Sequence, residues 1–260
     1  MSDYAALLPR LSEIARKAGA IALEARNTPE RSLKSDGSIL TNGDRQVEEF
    51  LRKELVALVP GSTVWGEEFG FSEEGEGGLW LVDPVDGTSN YSFGSPLWGV
   101  SIGLLRGANL ELGSVILPDL GEHYLSARGH GVTMNGEALP SIPTGQIKPF
   151  ELVSFGDRVL RTYGCGEESA QSPLPGKMRH AGAFVIDGCF VATQRYRGLI
   201  GIRERLYDIA ACVLFAQELG ADVRYADGSP FDLTELKQNK KIDRAWIVFP
   251  AESGFLLDRP

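Results

Sequence analysis

Leu7, Leu8, Leu11, Ile14, Ala15, Ala18, Ile21 and Ala22 recur at helical spacing. That spacing lays them along one face and predicts an amphipathic helix over residues 3–26. The polar stretch 27–42 reads as a loop. Val47, Phe50, Leu51, Leu55 and Leu58 restore the helical period, and Pro60-Gly61 ends it. The pattern then shortens into apolar runs at 63–65, 79–82, 98–105, 110–117 and 123–127, which predict a block of strands. Residues 138–149 contain Pro140, Pro143 and Pro149 and read as a connection. A strand at 152–155 follows, then a loop rich in Gly, Pro and Ser at 164–176. Helices are predicted at 182–193 and 206–219, the second closed by Gly220, and strands at 222–225 and 245–249. No internal repeat is present. The alternation predicts an α/β (α+β) chain whose halves, 1–140 and 141–260, pack as one compact unit.

Composition narrows the class. The chain has 260 residues, 43% hydrophobic and 23% charged, enough to bury a sizeable core. No run approaches the roughly 18 apolar residues of a membrane span. The amphipathic N-terminus lacks a signal-peptide core, so a cytoplasmic location is expected. Cys165, Cys189 and Cys212 show no CxxC spacing, which suggests reduced, structural thiols rather than a disulfide framework or a zinc cluster. A net charge of −9 disfavours nucleic acid, since a phosphate backbone calls for a basic surface. An acidic protein that handles a phosphate needs cations at its site.

Such a site is suggested by the run from Leu79 to Asn90, LWLVDPVDGTSN, where an apolar strand empties into two carboxylates and a glycine turn. Pro84 lacks a backbone donor and favours an extended Asp83, so the strand is expected to stop there with Asp83 on a rim. Asp86 follows three residues later, and two hard oxygen ligands so spaced suit Mg²⁺. Gly87 permits a tight turn with close backbone approach, and the Thr88 hydroxyl can hold a water. A helix after Gly87 would offer free N–H groups to an anion. The same residues also make an ordinary Asp-Gly turn.

Other acids share this double reading. Glu67, in the turn WGEEFG, is a candidate third ligand or a solvated loop residue. Asp208, in YDIAA, and Asp44, in LTNGD, stand where helix-capping acids also stand.

Taken together, WGEEFG, LWLVDPVDGTSNYSFGSPLWGVSIGLL and YDIAA resemble, in order and spacing, the signatures of the inositol monophosphatase family of Mg²⁺-dependent, Li⁺-inhibited phosphatases. LTNGD resembles that family's threonine-then-aspartate motif, and Lys34 falls at its loop lysine. The resemblance spans nearly the whole chain. It implies a layered αβαβα sandwich, a homodimer and a small phosphomonoester as substrate. Glu67, Asp83 and the Val85 carbonyl would bind one Mg²⁺ ion, and Asp83, Asp86 and Asp208 a second, with a weaker third near Glu67. Thr88 paired with Asp44 would activate a water, and the N–H groups of Gly87 and Thr88 would receive the phosphate. Two metals would then clamp the attacking and leaving oxygens. His123, His130 and His180 lie in no motif and read as surface or structural residues.

The chain departs from the family pattern on the substrate side. Tyr207 replaces a tryptophan, Gly201 stands at the family's inositol-hydroxyl glutamate, and Phe184 stands at a small residue of the substrate wall. Loss of that carboxylate removes discrimination worth about 1–3 kcal/mol for a polyol. Arg195, Arg197, Arg203 and Arg205 nearby read either as a site for a second anionic group or as a solvated or dimer-facing basic strip. The resemblance implies an inositol-1-monophosphatase-like activity, and these departures put inositol itself in doubt as the alcohol. Histidinol phosphate, or a bisphosphate such as fructose 1,6-bisphosphate or 3′-phosphoadenosine 5′-phosphate, stands as the alternative substrate. A regulatory binding protein on the same fold is the alternative of another class.

Overall fold

The computed structural model describes residues 4–35, 37–163, 174–238 and 241–257. After a short 3₁₀ turn at Tyr4–Leu7, helix α1 (Leu8–Arg26) leads to a hairpin of β1 (Arg31–Leu33) and β2 (Ile39–Thr41). The polar stretch expected as a loop thus holds two short strands. Helix α2 (Asn42–Leu58) starts at a capping box: Thr41 accepts from the Asp44 N–H, and Asp44 accepts from the Thr41 N–H. Then come β3 (Thr63–Gly66), β4 (Leu79–Asp86), α3 (Thr88–Ser92), β5 (Gly99–Arg106), β6 (Asn109–Leu117), β7 (Glu122–Ala127), β8 (Val132–Met134) and β9 (Glu137–Ala138). These strands form one seven-stranded sheet in sequence order. Strands β3 and β4 are parallel, and the other neighbours are antiparallel.

The second part comprises β10 (Leu152–Phe155), α4 (Asp157–Tyr163), β11 (Lys177–Arg179), α5 (Phe184–Ala192), β12 (Gly198–Gly201), α6 (Leu206–Glu218), β13 (Ala221–Tyr225) and β14 (Trp246–Pro250). Its five-stranded sheet has the order β11-β10-β12-β14-β13. Helix α4 and strands β11 and β12 had no periodic signal, being short or rich in Gly and Arg. Most of the expected loop 164–176, with Cys165, falls outside the described residues.

Burial explains the layering. On one face of the large sheet, Trp80, Val82, Val100, Ile102 and Leu104 pack with Leu11, Ile14, Val47, Leu51 and Leu55 of α1 and α2. On its other face, Leu79, Leu81 and Leu105 meet α5 and α6, whose far sides cover Leu199, Trp246 and Val248 of the small sheet. Val159 of α4 packs on the outer face of that sheet with Phe155, Ile200, Ile247 and Phe249. The order is α, β, α, β, α. Each fully buried Leu, Ile or Val contributes about 1.5–3 kcal/mol, and α6, buried nearly all round, is fixed between both sheets. Close approach is needed there: a Cβ on Gly103 of β5 would lie 2.8 Å from the Ala210 Cβ. Among the described residues no helix is long and apolar enough to cross a membrane.

Candidate active site

Strand β4 carries the first two acids, and its end differs from the sequence expectation. The strand does not stop at Asp83 but runs to Asp86, with its register against β5 shifting between the two. Asp83 is no rim residue either, being only 3% exposed. The irregularity accommodates Pro84, which has no N–H to give the ladder, and Asp83 instead accepts from the Val85 N–H at 3.1 Å. Gly87 then turns the chain at φ 84° into α3, a conformation glycine adopts without steric cost. A side chain there would also strike the Ala183 Cβ at 2.7 Å.

One cavity of about 370 Å³ gathers the predicted residues: Glu67, Asp83, Val85, Asp86, Gly87, Thr88 and Asp208 line it, together with Phe184 and Gly201. The acids arrive from three places: the end of β4, the turn after β3 and the first turn of α6. Asp208 accepts from the Arg205 N–H at 2.6 Å, and Asp86 accepts from the Val185 N–H at 2.5 Å. Asp44 does not line the cavity. It lies fully buried behind it, where Thr88 donates both to its Oδ1 at 3.4 Å and to the Val85 carbonyl at 3.1 Å. Its capping role and its pairing with Thr88 therefore coexist. Lys34 lines an adjoining cavity that shares Glu67 and Asp208, and its ammonium bonds Glu67 at 2.7 Å and Glu68 at 2.6 Å.

Burial and mutual repulsion dominate the electrostatics. Asp83 is held well above the usual carboxylate range by burial first, then by Glu67, Asp86, Asp208 and Asp44. Asp208 is also pushed well up, by burial and then by Glu67 and Asp86, against the Arg205 N–H. Asp86 is raised to about 7 by burial and by Glu67 and Asp187, with the Val185 and Gly87 N–H groups opposing. Burial raises Asp44 to about 6, against its bonds from Thr41. Burial disfavours the Lys34 ammonium, yet Glu67 and Glu68 outweigh it and push its pKa up. Carboxylates crowded in this way favour either protons or a hard cation. Among the described residues no three acids, histidines or cysteines converge at metal-ligand distance; each acid instead holds a backbone N–H or Lys34. The donor set itself, one buried and three half-buried carboxylates with a backbone carbonyl and no sulfur, is that of Mg²⁺.

Several residues of the site gave no sequence signal. Glu48 of α2, fully buried, accepts from the N–H groups of Glu68 and Phe69 at 2.7 and 3.1 Å and from Arg52 at 2.9 Å, shaping the turn that presents Glu67. A Cβ on Gly66 would sit 2.1 Å from its Oε1. The Glu48-to-Gly66 spacing has no local signature, so only the fold pairs them. His180, expected to be merely surface or structural, is exposed but lines the cavity, as do Asp187, Glu204, Arg158, Arg203 and Lys241. His123 is structural as expected, buried and 3.0 Å from the Ser114 hydroxyl. Cys189 and Cys212 are buried and free.

The substrate side also corrects the arginine reading. Arg195 pairs with Glu122 and Arg197 with Glu151, so the four arginines form no single cluster; Arg203 lines the main cavity and Arg205 the adjoining one. Gly201 is hemmed in. A Cβ there would lie 2.4 Å from the Trp246 Nε1 and 2.9 Å from the Glu204 Oε2. Trp246 donates to Glu204 at 2.8 Å and packs between Phe184 and Phe231. An aromatic stack and a different carboxylate thus fill the space next to position 201.

Comparison with known proteins bears on the family and the fold. The sequence model of the inositol monophosphatase family matches residues 3–241. A fructose-1,6-bisphosphatase/inositol-1-monophosphatase of Aquifex aeolicus is 29% identical over 218 residues, 83% of this chain and 82% of its own. A histidinol-phosphatase of Chlorobaculum parvum is 39% identical over 126 residues, 48% of this chain and 49% of its own. The solved IMPase of Thermotoga maritima superposes with a TM-score of 0.77 over 95% of this chain and 92% of that one, at 22% identity. Motifs, layered fold and whole-length match together place the chain in the inositol monophosphatase family, a family of phosphoric monoester hydrolases.

Proposed function

We propose that the chain is a Mg²⁺-dependent phosphomonoesterase that releases a small alcohol from its phosphate by attack of water. The observation that carries this reading is the convergence of Glu67, Asp83, Asp86 and Asp208 on one cavity with Gly87 and Thr88. Glu67, Asp83, the Val85 carbonyl, Asp86 and Asp208 would hold the metal, with Li⁺ as an expected inhibitor. When bound, Mg²⁺ supplies positive charge to the phosphoryl oxygens and lowers the pKa of water. The chain's own part is positioning and proton handling. Thr88, donating to Asp44, orients the water, and Asp44, at about 6, takes its proton through that bond. Thr88 leads into α3, so its N–H faces the phosphate rather than an intrahelical partner; the Gly87 N–H bonds Asp86. No side chain is required as nucleophile.

Retention of all these acids favours an enzyme over a regulatory binding protein, which has no need to bury carboxylates against one another. On the substrate, crowding at Gly201 removes the family's inositol-hydroxyl carboxylate, which weakens the case for inositol 1-phosphate and keeps histidinol phosphate and bisphosphates in contention. The test is kcat/KM with Mg²⁺ for inositol 1-phosphate, histidinol phosphate, fructose 1,6-bisphosphate and 3′-phosphoadenosine 5′-phosphate, with Asp86→Asn as control. Turnover of at least one, abolished in the variant, supports the reading. No turnover on these or on a broad phosphomonoester panel overturns it, and full activity in Asp86→Asn overturns the site assignment.

A further inference from the structure

Among the described residues the buried hydroxyls of Ser92, Ser101 and Ser253 have no hydrogen-bond partner. Of these, only Ser101 stands opposite a proposed metal ligand in a strand ladder: it lies on β5 across from Asp83 of β4 and is 1% exposed. The other buried serines of the large sheet are paired. Ser114 lies 3.0 Å from the His123 Nε2, and Ser126 donates to the Gly131 carbonyl at 2.9 Å.

The two side chains share a face. Side chains alternate along a strand, so Asp83 points to the same side of β4 as Leu79 and Leu81, toward α5 and α6. Ser101 shares the matching side of β5 with Gly99 and Gly103, where a Cβ would meet the Val185 Cγ2 of α5 at 3.2 Å and the Ala210 Cβ of α6 at 2.8 Å respectively. Residues directly opposite on one face hold their Cβ atoms about 4.5–5.5 Å apart. A serine hydroxyl and a carboxylate oxygen so placed can meet at about 2.7 Å. Ser101 itself does not line the cavity.

Packing accounts for only part of this residue. Close approach of α5 and α6 explains a small side chain at 101, as it explains Gly99 and Gly103, but not a hydroxyl. Alanine would fill the same space without burying an unmade donor, which is costly. Asp83 has acceptor capacity to spare: its Oδ1 accepts from the Val85 N–H at 3.1 Å, and an ionised carboxylate offers several more lone-pair sites. Carboxylates that ligate a metal are held in orientation by outer hydrogen bonds, whose loss costs about 10–100-fold in metal affinity or activity.

Resting on the metal-dependent phosphatase reading, we propose that Ser101 is a positioning residue, whose hydroxyl donates to the Asp83 carboxylate when that carboxylate holds Mg²⁺ and so fixes its orientation. Ser101 touches neither substrate nor metal. It acts through Asp83.

The test uses the full chain as wild type, Ser101→Ala and Ser101→Cys, the last close to serine in size but a weak donor. Mg²⁺ binding to the metal-free protein is measured by titration calorimetry without substrate, and stability by urea unfolding in EDTA. Both variants are expected to raise the Mg²⁺ dissociation constant about 10-fold or more. Ser101→Ala should nevertheless unfold in EDTA at no lower urea concentration than the wild type, because the lost hydroxyl had no partner there. Phosphate release should fall at low Mg²⁺ and recover as the metal is raised. A residue that matters only for packing moves stability and leaves binding alone. A smaller change of affinity in Ser101→Ala, wild-type affinity in Ser101→Cys, or a less stable Ser101→Ala in EDTA overturns the proposal while leaving the phosphatase reading in place. Failure of the wild-type protein to bind Mg²⁺ overturns both.

Discussion

Asp86→Asn is expected to make the metal-free protein more stable while removing its activity. Asp86 is half-buried, and its carboxyl is raised from 3.8 to about 7 by desolvation first, then by Glu67 and Asp187. A carboxyl raised in the folded state supports folding below its unfolded pKa, and that support is lost as pH rises through the folded value. Across this window the loss amounts to about 4 kcal/mol, at about 1.4 kcal/mol per pH unit. Asparagine carries no charge and keeps an acceptor for the Val185 N–H, but loses the bond from the Gly87 N–H, worth about 1 kcal/mol. The net gain is therefore about 3 kcal/mol at pH 8. Relief of Asp83 and Asp208, on both of which Asp86 acts, works in the same direction. Below about pH 4 wild-type Asp86 is protonated in the fold and the gain shrinks to under about 1 kcal/mol. The assay is urea unfolding of both proteins in EDTA at pH 4, 6 and 8. A variant that is less stable at pH 8, or a difference that does not change with pH, would refute the claim that the site stores carboxylate repulsion.

Other consequences reach beyond that residue. Burial pushes His123 down to about 4 from 6.5, so its contribution is complete above 6.5 and is lost as pH falls toward 4; urea unfolding should show about 3 kcal/mol of acid-dependent loss that is missing in His123→Gln. Glu48→Ala strips the Glu68 and Phe69 N–H groups of their acceptor and should cost about 3–5 kcal/mol as a broken buried charge network, with phosphate release falling alongside; a variant of wild-type stability would contradict the assigned role. Gly201→Glu restores the family's residue type but collides with Trp246, so calorimetry should show about 1–3 kcal/mol of overpacking and kinetics no gain on inositol 1-phosphate.

The sequence carried the catalytic half of the site further than the substrate half for a physical reason. Residues 79–90 hold strand, acids, glycine turn and the start of α3 in one contiguous run, so spacing alone expressed the geometry. Asp44 and Asp208 were legible as first-turn acids of long periodic helices, though not their meeting near Asp83. What the run concealed was its own end, because Pro84 ordinarily closes a strand and here a register shift lets β4 continue to Asp86. Position 201 illustrates the opposite case. The missing carboxylate was visible in the sequence, but its replacement by Glu204 and the Phe184, Trp246 and Phe231 stack depends on β14 lying beside β12, which no local pattern encodes. Asp187, on α5, and His180, just after β11, likewise reach the cavity only through the packing of the second part of the chain beside the end of β4.

Phosphate release by a single preparation, first in EDTA and then after Mg²⁺ is added back, tests the metal-assisted phosphatase most directly. Release that is absent in EDTA, returns with Mg²⁺ and fails to return in Asp208→Asn is the predicted result. Equal release with and without the metal, or undiminished release by Asp208→Asn, would contradict it.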